Sequence, residues 1–101
     1  MSLCCLTLIF QKAVEDEIID FLLDRGISDQ GFLTATIEGH GHDMHLATMK
    51  EKVRGRAAQT RMDLVMEHSD SDKLLSDIRN AFPNLHITYW TSPVDTFGRL
   101  P

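Results

Sequence analysis

Three histidines stand close together near the middle of the chain, in the stretch Gly39-His40-Gly41-His42-Asp43-Met44-His45. In an extended segment, side chains at positions i and i+2 point to the same side, so one metal ion could reach both His40 and His42. His45 adds a third imidazole, and Met44 adds a soft thioether sulfur. This mixture of ligands suits copper, nickel or zinc. The stretch therefore predicts a metal site made of His40, His42, His45 and Met44.

Other interpretations of the same stretch stay open. Gly39 and Gly41 would let the backbone fold closely around a bound ion or ligand. Arg54 and Arg56 follow the histidines and could hold an anion or a nucleotide instead of a metal. The segment could also be a solvated loop whose histidines simply titrate, or a short helix that docks on the body of the protein.

The elements around this stretch follow from hydrophobic periodicity. Four strands are predicted, at residues 3–10, 31–37, 57–66 and 85–90, the last including His86. Two amphipathic helices separate them: one has its periodic residues from Val14 onward, acidic residues 15–17 in its first turn and Gly26 at its end, and the other precedes Pro83. Ser69 and Asp72 have the spacing of a capping box at the start of the second helix. The segment 39–55 between the second and third strands is longer than a normal hairpin connection, which favours a functional loop.

The order β-α-β-β-α-β predicts an α+β fold of the ferredoxin-like type, a four-stranded antiparallel sheet with two helices on one face. A chain of 101 residues makes a single domain, residues 1–101. Two helices cover one face of such a sheet, yet the first two strands are apolar or neutral on both sides. We therefore expect the second face to pack against another copy of the chain.

Composition excludes several classes of function. The net charge of −5 argues against general affinity for nucleic acid. The apolar run at residues 3–10 lacks a basic start and is too short to span a membrane, so we expect a cytoplasmic protein that is not inserted in a membrane. Cys4 and Cys5 are adjacent and cannot bridge each other without strain. No nucleophile with a nearby base and no phosphate-binding fingerprint stand in the sequence, so we expect no enzymatic activity.

Several motifs resemble the PII signal-transduction superfamily. They are Gly39-His40-Gly41 at the start of the long segment, Glu67-His68-Ser69-Asp70-Ser71-Asp72 before the second helix, and Thr91-Ser92-Pro93-Val94 after the fourth strand. A short, uncharacterised bacterial branch is similar in three further motifs, Val53-Arg54-Gly55-Arg56, Tyr89-Trp90 and Phe97-Gly98-Arg99-Leu100. In element order, the resemblance extends over nearly the whole chain.

The resemblance implies a non-enzymatic homotrimer whose long segment, the T-loop of PII proteins, binds a small ligand and signals to a partner protein. A suspected link of the bacterial branch to heavy-metal efflux implies a membrane transporter as that partner. The glycine-rich B-loop of nucleotide-binding PII proteins has no counterpart in Ala81-Phe82-Pro83-Asn84-Leu85. Two alternatives stay open: a metal storage or trafficking trimer similar to CutA, and an adenine-nucleotide regulator in which Arg54, Arg56 and Arg99 hold the nucleotide.

Overall fold

The computed structural model describes residues 2–27, 31–40 and 56–101, and for Arg56 and Ala57 it describes the backbone alone. The chain forms strands and helices in the predicted order, with a short 3-10 turn at Lys12–Val14 before the first helix. The elements are β1 (Leu3–Gln11), α1 (Glu15–Asp24), β2 (Leu33–His40), β3 (Arg56–Glu67), α2 (His68–Ala81) and β4 (Thr88–Val94).

The four strands form one antiparallel sheet in the order β2-β3-β1-β4. Strands β1 and β3 are central. They pair with each other along most of their length, from Leu3 opposite Glu67 to Gln11 opposite Gln59. Strands β2 and β4 are the edges. This confirms the predicted α+β, ferredoxin-like β-α-β-β-α-β fold.

The core lies between one face of the sheet and the two helices. Alternate residues of the central strands point into it, because successive side chains of a strand lie on opposite faces. The buried cluster takes Leu6, Leu8, Phe10, Met62, Leu64 and Met66 from the sheet, and Ile18, Leu22, Leu74 and Ile78 from the helices. We call this side the helix face, and we call the other side, to which no described helix contributes, the open face.

Contacts between the two helices fix their positions on the sheet. Arg25, just past the end of α1, forms an ion pair of 2.8 Å with Asp77 of α2. The Arg25 guanidinium also lies 4.6 Å from the centre of the Phe21 ring, and that ring packs edge-on against Phe82 at 5.3 Å. Gly26 follows with a φ of +76°, the left-handed conformation that ends a helix, as predicted.

The capping-box prediction for α2 is wrong. The helix begins at His68, its N-cap is Glu67, and no side chain caps it. The backbone N–H of His68 instead donates to the carbonyl oxygen of Ser2 at 2.9 Å. Because this bond comes from the start of β1, a tertiary contact replaces the local cap, and Ser69 lies inside the first turn.

The strand boundaries also differ from the predictions. Strand β2 runs to His40 and strand β3 begins at Arg56, so both are longer at this end than predicted. Strand β4 covers Thr88–Val94 rather than residues 85–90. His86 has a φ of +50° and precedes the strand, which contradicts its assignment as a strand histidine.

Candidate functional site

The first two residues of the predicted ligand-binding segment 39–55 belong to a strand. Gly39 and His40 are the last residues of β2, where they pair with Ala57 and Arg56 of β3. Gly39 is buried, whereas His40 is exposed at the strand end. The connection between the two strands therefore comprises residues 41–55, and His40 and Arg56 stand opposite each other at its base.

Most of the predicted metal site falls outside the described residues. Gly41, His42, Met44, His45 and Arg54 all lie between residues 41 and 55. Within the three described ranges, no group of three or more histidine, cysteine, aspartate or glutamate side chains is placed to hold a metal ion. Of the four predicted metal ligands, the structure thus describes His40 alone.

A polar network lies on the helix face near the base of this connection. Lys12 Nζ donates to Thr36 Oγ1 at 2.8 Å and lies 4.0 Å from Glu15 Oε2. The buried hydroxyl of Thr60 donates to Glu15 Oε1 at 2.9 Å. These contacts join the start of α1 to strands β2 and β3. Both oxygens of the Glu15 carboxylate have partners within the network, so the carboxylate has a structural role. Thr36 and His40 lie on the same face of β2, because their positions differ by an even number.

In a single chain, the predicted anion ligands Arg56 and Arg99 are far apart along β2. Arg56 pairs with His40 at the end of that strand. A Cβ placed on Gly31, just before the strand begins, would lie 3.7 Å from Nη2 of Arg99. The C-terminal segment therefore reaches the opposite end of the sheet from His40.

The open face carries a polar cluster that the sequence analysis did not identify. Thr7 Oγ1 donates to Asp63 Oδ1 at 2.7 Å, and Arg61 Nε donates to Asp63 Oδ2 at 3.1 Å. The Arg61 guanidinium lies 5.7 Å from the Trp90 ring centre, within cation–π distance. The sequence carries a signal for part of this cluster, since Arg61 and Asp63 are polar residues at alternate positions of the third strand.

The electrostatics of this cluster favour an ionised Asp63. Burial acts to raise the pKa of the Asp63 carboxyl, but hydrogen bonds from Thr7 and Arg61 and the positive charge of Arg61 together hold it below its ordinary value. The Cys5 thiol is a weaker neighbour, with its sulfur 3.8 Å from Asp63 Oδ1. Arg61 and Asp63 thus form a positively and a negatively charged pair, held in place by hydrogen bonds, on a face that is otherwise largely apolar.

Around this cluster, the open face exposes large apolar side chains. Leu33 is 74% exposed and Trp90 is 42% exposed. Gln59, in contrast, is buried on the central strand β3, and its Oε1 atom has no hydrogen-bond partner among the described residues.

Comparison with known proteins supports the fold over its full length. The family model described as "Protein of unknown function (DUF3240)" matches residues 1–101. No curated protein matches the chain. No described helix is long and apolar enough to cross a membrane.

Solved structures similar to this chain include a DUF3240 family protein from Shewanella baltica OS155, at 20% identity and a TM-score of 0.79, covering 100% of this chain and 99% of that one. CPII from Thiomonas intermedia K12, a nitrogen regulatory PII-like protein bound to ADP, AMP and bicarbonate, is 15% identical with a TM-score of 0.71, covering 99% and 98%. CutA from Synechococcus elongatus PCC7942 is 12% identical with a TM-score of 0.66, covering 92% and 77%. The chain therefore belongs to the DUF3240 family and has a PII-like, ferredoxin-like fold.

Proposed function

We propose that this protein is a non-enzymatic, PII-like regulator that binds a small ligand, a transition-metal ion, through the connection between β2 and β3. Its working form is a homotrimer assembled through the open face. Metal binding changes the connection, which then engages or releases a partner protein, for which a membrane transporter is our working expectation. The PII-like fold supports this class of function, because CPII is described as a nitrogen regulatory PII-like protein.

The observation that carries the metal proposal is the position of His40. It is exposed as the last residue of β2, and Gly41 and His42 follow it in the sequence. Strand pairing fixes the backbone of His40, so this ligand would start from an ordered position. His42, His45 and Met44 follow closely enough in sequence to supply the rest of a mixed nitrogen and sulfur ligand set.

A second candidate function is an adenine-nucleotide regulator. It is favoured by the likeness to CPII, whose structure holds ADP and AMP. The positive groups available for phosphate would be Arg54, Arg56 and Arg99. Since Arg56 and Arg99 lie at opposite ends of β2 within one chain, this function needs Arg99 from a neighbouring copy.

The test is calorimetric titration of the purified protein with Cu²⁺, Ni²⁺, Zn²⁺ and ATP. We expect saturable heat with at least one metal, and we expect His40→Ala combined with His42→Ala to weaken that binding by at least about tenfold. His68→Ala is the matched control, because His68 is an exposed histidine at the start of α2, and it should bind metal as the wild type does. Unchanged affinity in the double variant would contradict the site. Heat with ATP and none with metals would favour the nucleotide regulator.

Hydrogen exchange separates a sensor from a storage or trafficking protein similar to CutA. A sensor should show slower amide exchange within residues 39–55 when metal is bound, because a ligand must alter the segment that reports it. Stoichiometric metal binding with unchanged exchange in those residues would favour storage or trafficking instead.

A further inference from the structure

A cavity of about 190 Å³ lies between the C-terminal half of α2, residues 82–87 and the edge strand β4. Leu8 of β1, which is fully buried, lines it from the sheet. Further apolar walls come from Leu75, Ile78, Phe82 and Ile87. The cavity is on the helix face at the β4 edge, whereas His40 lies on the β2 edge of the same sheet. It is therefore a separate site from the connection between β2 and β3.

The size and lining of the cavity fit a small apolar group. An engineered cavity of about 150 Å³ lined by Leu, Ile and Phe side chains takes up benzene, so a cavity of this size has room for about six to ten non-hydrogen atoms. That volume is too small for the base, ribose and phosphates of a nucleotide, since sites for larger ligands measure about 300 Å³ or more.

The rim of the cavity is polar and carries a positive charge. Arg79, Tyr89 and His86 line it alongside the apolar walls. Arg79 is exposed and has no ion-pair partner in the part of the chain that the structure describes. A guanidinium group matches a carboxylate in geometry as well as charge, because it can donate two parallel hydrogen bonds. The half-exposed Tyr89 can add a hydroxyl donor.

The backbone at the rim is held in an uncommon conformation. His86 has a φ of +50°, a left-handed conformation that costs free energy for a residue with a Cβ. Residues held in such conformations cluster at functional sites, where the surrounding structure holds them in place. Here the conformation sets the course of the chain between the turn after α2 and the start of β4, and so shapes one side of the cavity.

We propose that this cavity binds a small carboxylate with an apolar body of aromatic or branched-chain type. The apolar body enters between α2 and β4, and the carboxylate pairs with Arg79 at the rim. This inference is independent of the proposed metal site, because it uses none of the residues of that site.

Phenylacetate is a suitable probe, with benzyl alcohol as an uncharged ligand of similar shape. Titration of the ¹⁵N-labelled protein, followed by NMR, should show saturable shifts confined to amides of residues 75–89. Arg79→Gln should weaken phenylacetate binding by about tenfold or more, the factor expected when a charge-assisted hydrogen bond is lost. Lys73→Gln is the matched control: it removes an exposed positive charge from the same helix, outside the cavity, and should leave the affinity unchanged.

Three results would overturn the proposal. One is the absence of saturable shifts at millimolar phenylacetate. Another is equal affinity for phenylacetate and benzyl alcohol, which would show that the positive rim does not select a carboxylate. The third concerns the exposed C-terminal segment: if Leu100→Ser alone shifts the amides of residues 75–89, a second copy of the chain fills the cavity. Because none of these measurements uses metal, their failure is distinguishable from failure of the metal proposal.

Discussion

The Asp63 carboxylate is held by donors from two strands, Thr7 on β1 and Arg61 on its own strand β3. Its side chain is 27% exposed, so solvent screens these contacts in part. Hydrogen bonds to an ionised group are stronger than neutral ones, and this outweighs the burial that would otherwise raise the pKa of Asp63. One residue thus joins the two central strands on the open face.

We expect Asp63→Asn to lower the free energy of unfolding by about 1 kcal/mol at pH 7, because the charged acceptor is lost. A carboxyl with a depressed pKa in the folded state stabilises that state above its unfolded pKa of about 3.9, and the stabilisation disappears as the pH falls through the lower folded pKa. The difference between variant and wild type should therefore shrink below about pH 4.

Urea denaturation at fixed protein concentration between pH 2.5 and pH 7 measures this difference. Asp95→Asn, which removes an exposed aspartate just beyond β4, is the control and should have the free energy of unfolding of the wild type at pH 7. A difference for Asp63→Asn that stays constant over the whole range would contradict the depressed pKa.

At the level of elements, β4 shows how a sheet overrides local sequence preference. Residues 85–90 are rich in β-branched and aromatic side chains, and Pro93 argues against a strand around it. In the structure, Pro93 nevertheless lies within β4, opposite Cys4 of β1. An edge strand tolerates this residue, because a missing N–H that would face solvent removes no bond within the sheet.

The end of α1 depends on the backbone conformation of Gly26. Gly26 has a φ of +76°, and a Cβ placed there would meet no atom within 4 Å. Gly26→Ala should therefore cost about 1 kcal/mol of folding free energy through backbone conformation alone, without any steric clash. Gly98→Ala is the matched control, since its added Cβ also meets nothing and its φ is not positive. Thermal unfolding should show a lower melting temperature for Gly26→Ala alone; equal temperatures would contradict the backbone explanation.

The sequence predicts each element correctly where local and tertiary preferences agree, as at Gly26 and along the alternating strand β3. It fails where a distant residue decides the local structure. The carbonyl of Ser2 replaces the capping box predicted at Ser69, and pairing with β1 moves the fourth strand towards Val94. For the site, spacing alone singled out His40 but could not place the open-face cluster or the cavity beside α2, because both combine residues that are distant in the sequence.

In the part of the chain that the structure describes, helices cover one face of the sheet and leave the open face uncovered. A chain of 101 residues gains considerable stability when it buries such a second face. Leu33 and Trp90 are exposed there, next to the charged pair of Arg61 and Asp63. The buried oxygen of Gln59 lacks a donor among the described residues. The exposed apolar side chains and the fixed charges together favour a second copy of the chain as the covering surface, which is the basis of the proposed homotrimer.

We expect sedimentation equilibrium at micromolar concentration to give three times the chain mass for the wild type, and Leu33→Asp to dissociate the assembly. Leu33 pairs with Asp63 across β2 and β3, so the new carboxylate would lose apolar burial and also repel an existing charge. Losing one buried leucine costs about 2 kcal/mol, which raises the dissociation constant by more than about tenfold for each interface. Leu23→Asp is the matched control, because Leu23 is 45% exposed on α1, away from the open face, and its assembly should equal the wild type. A monomeric wild type would contradict the homotrimer, whereas a trimeric Leu33→Asp would place the interface on another surface of the molecule.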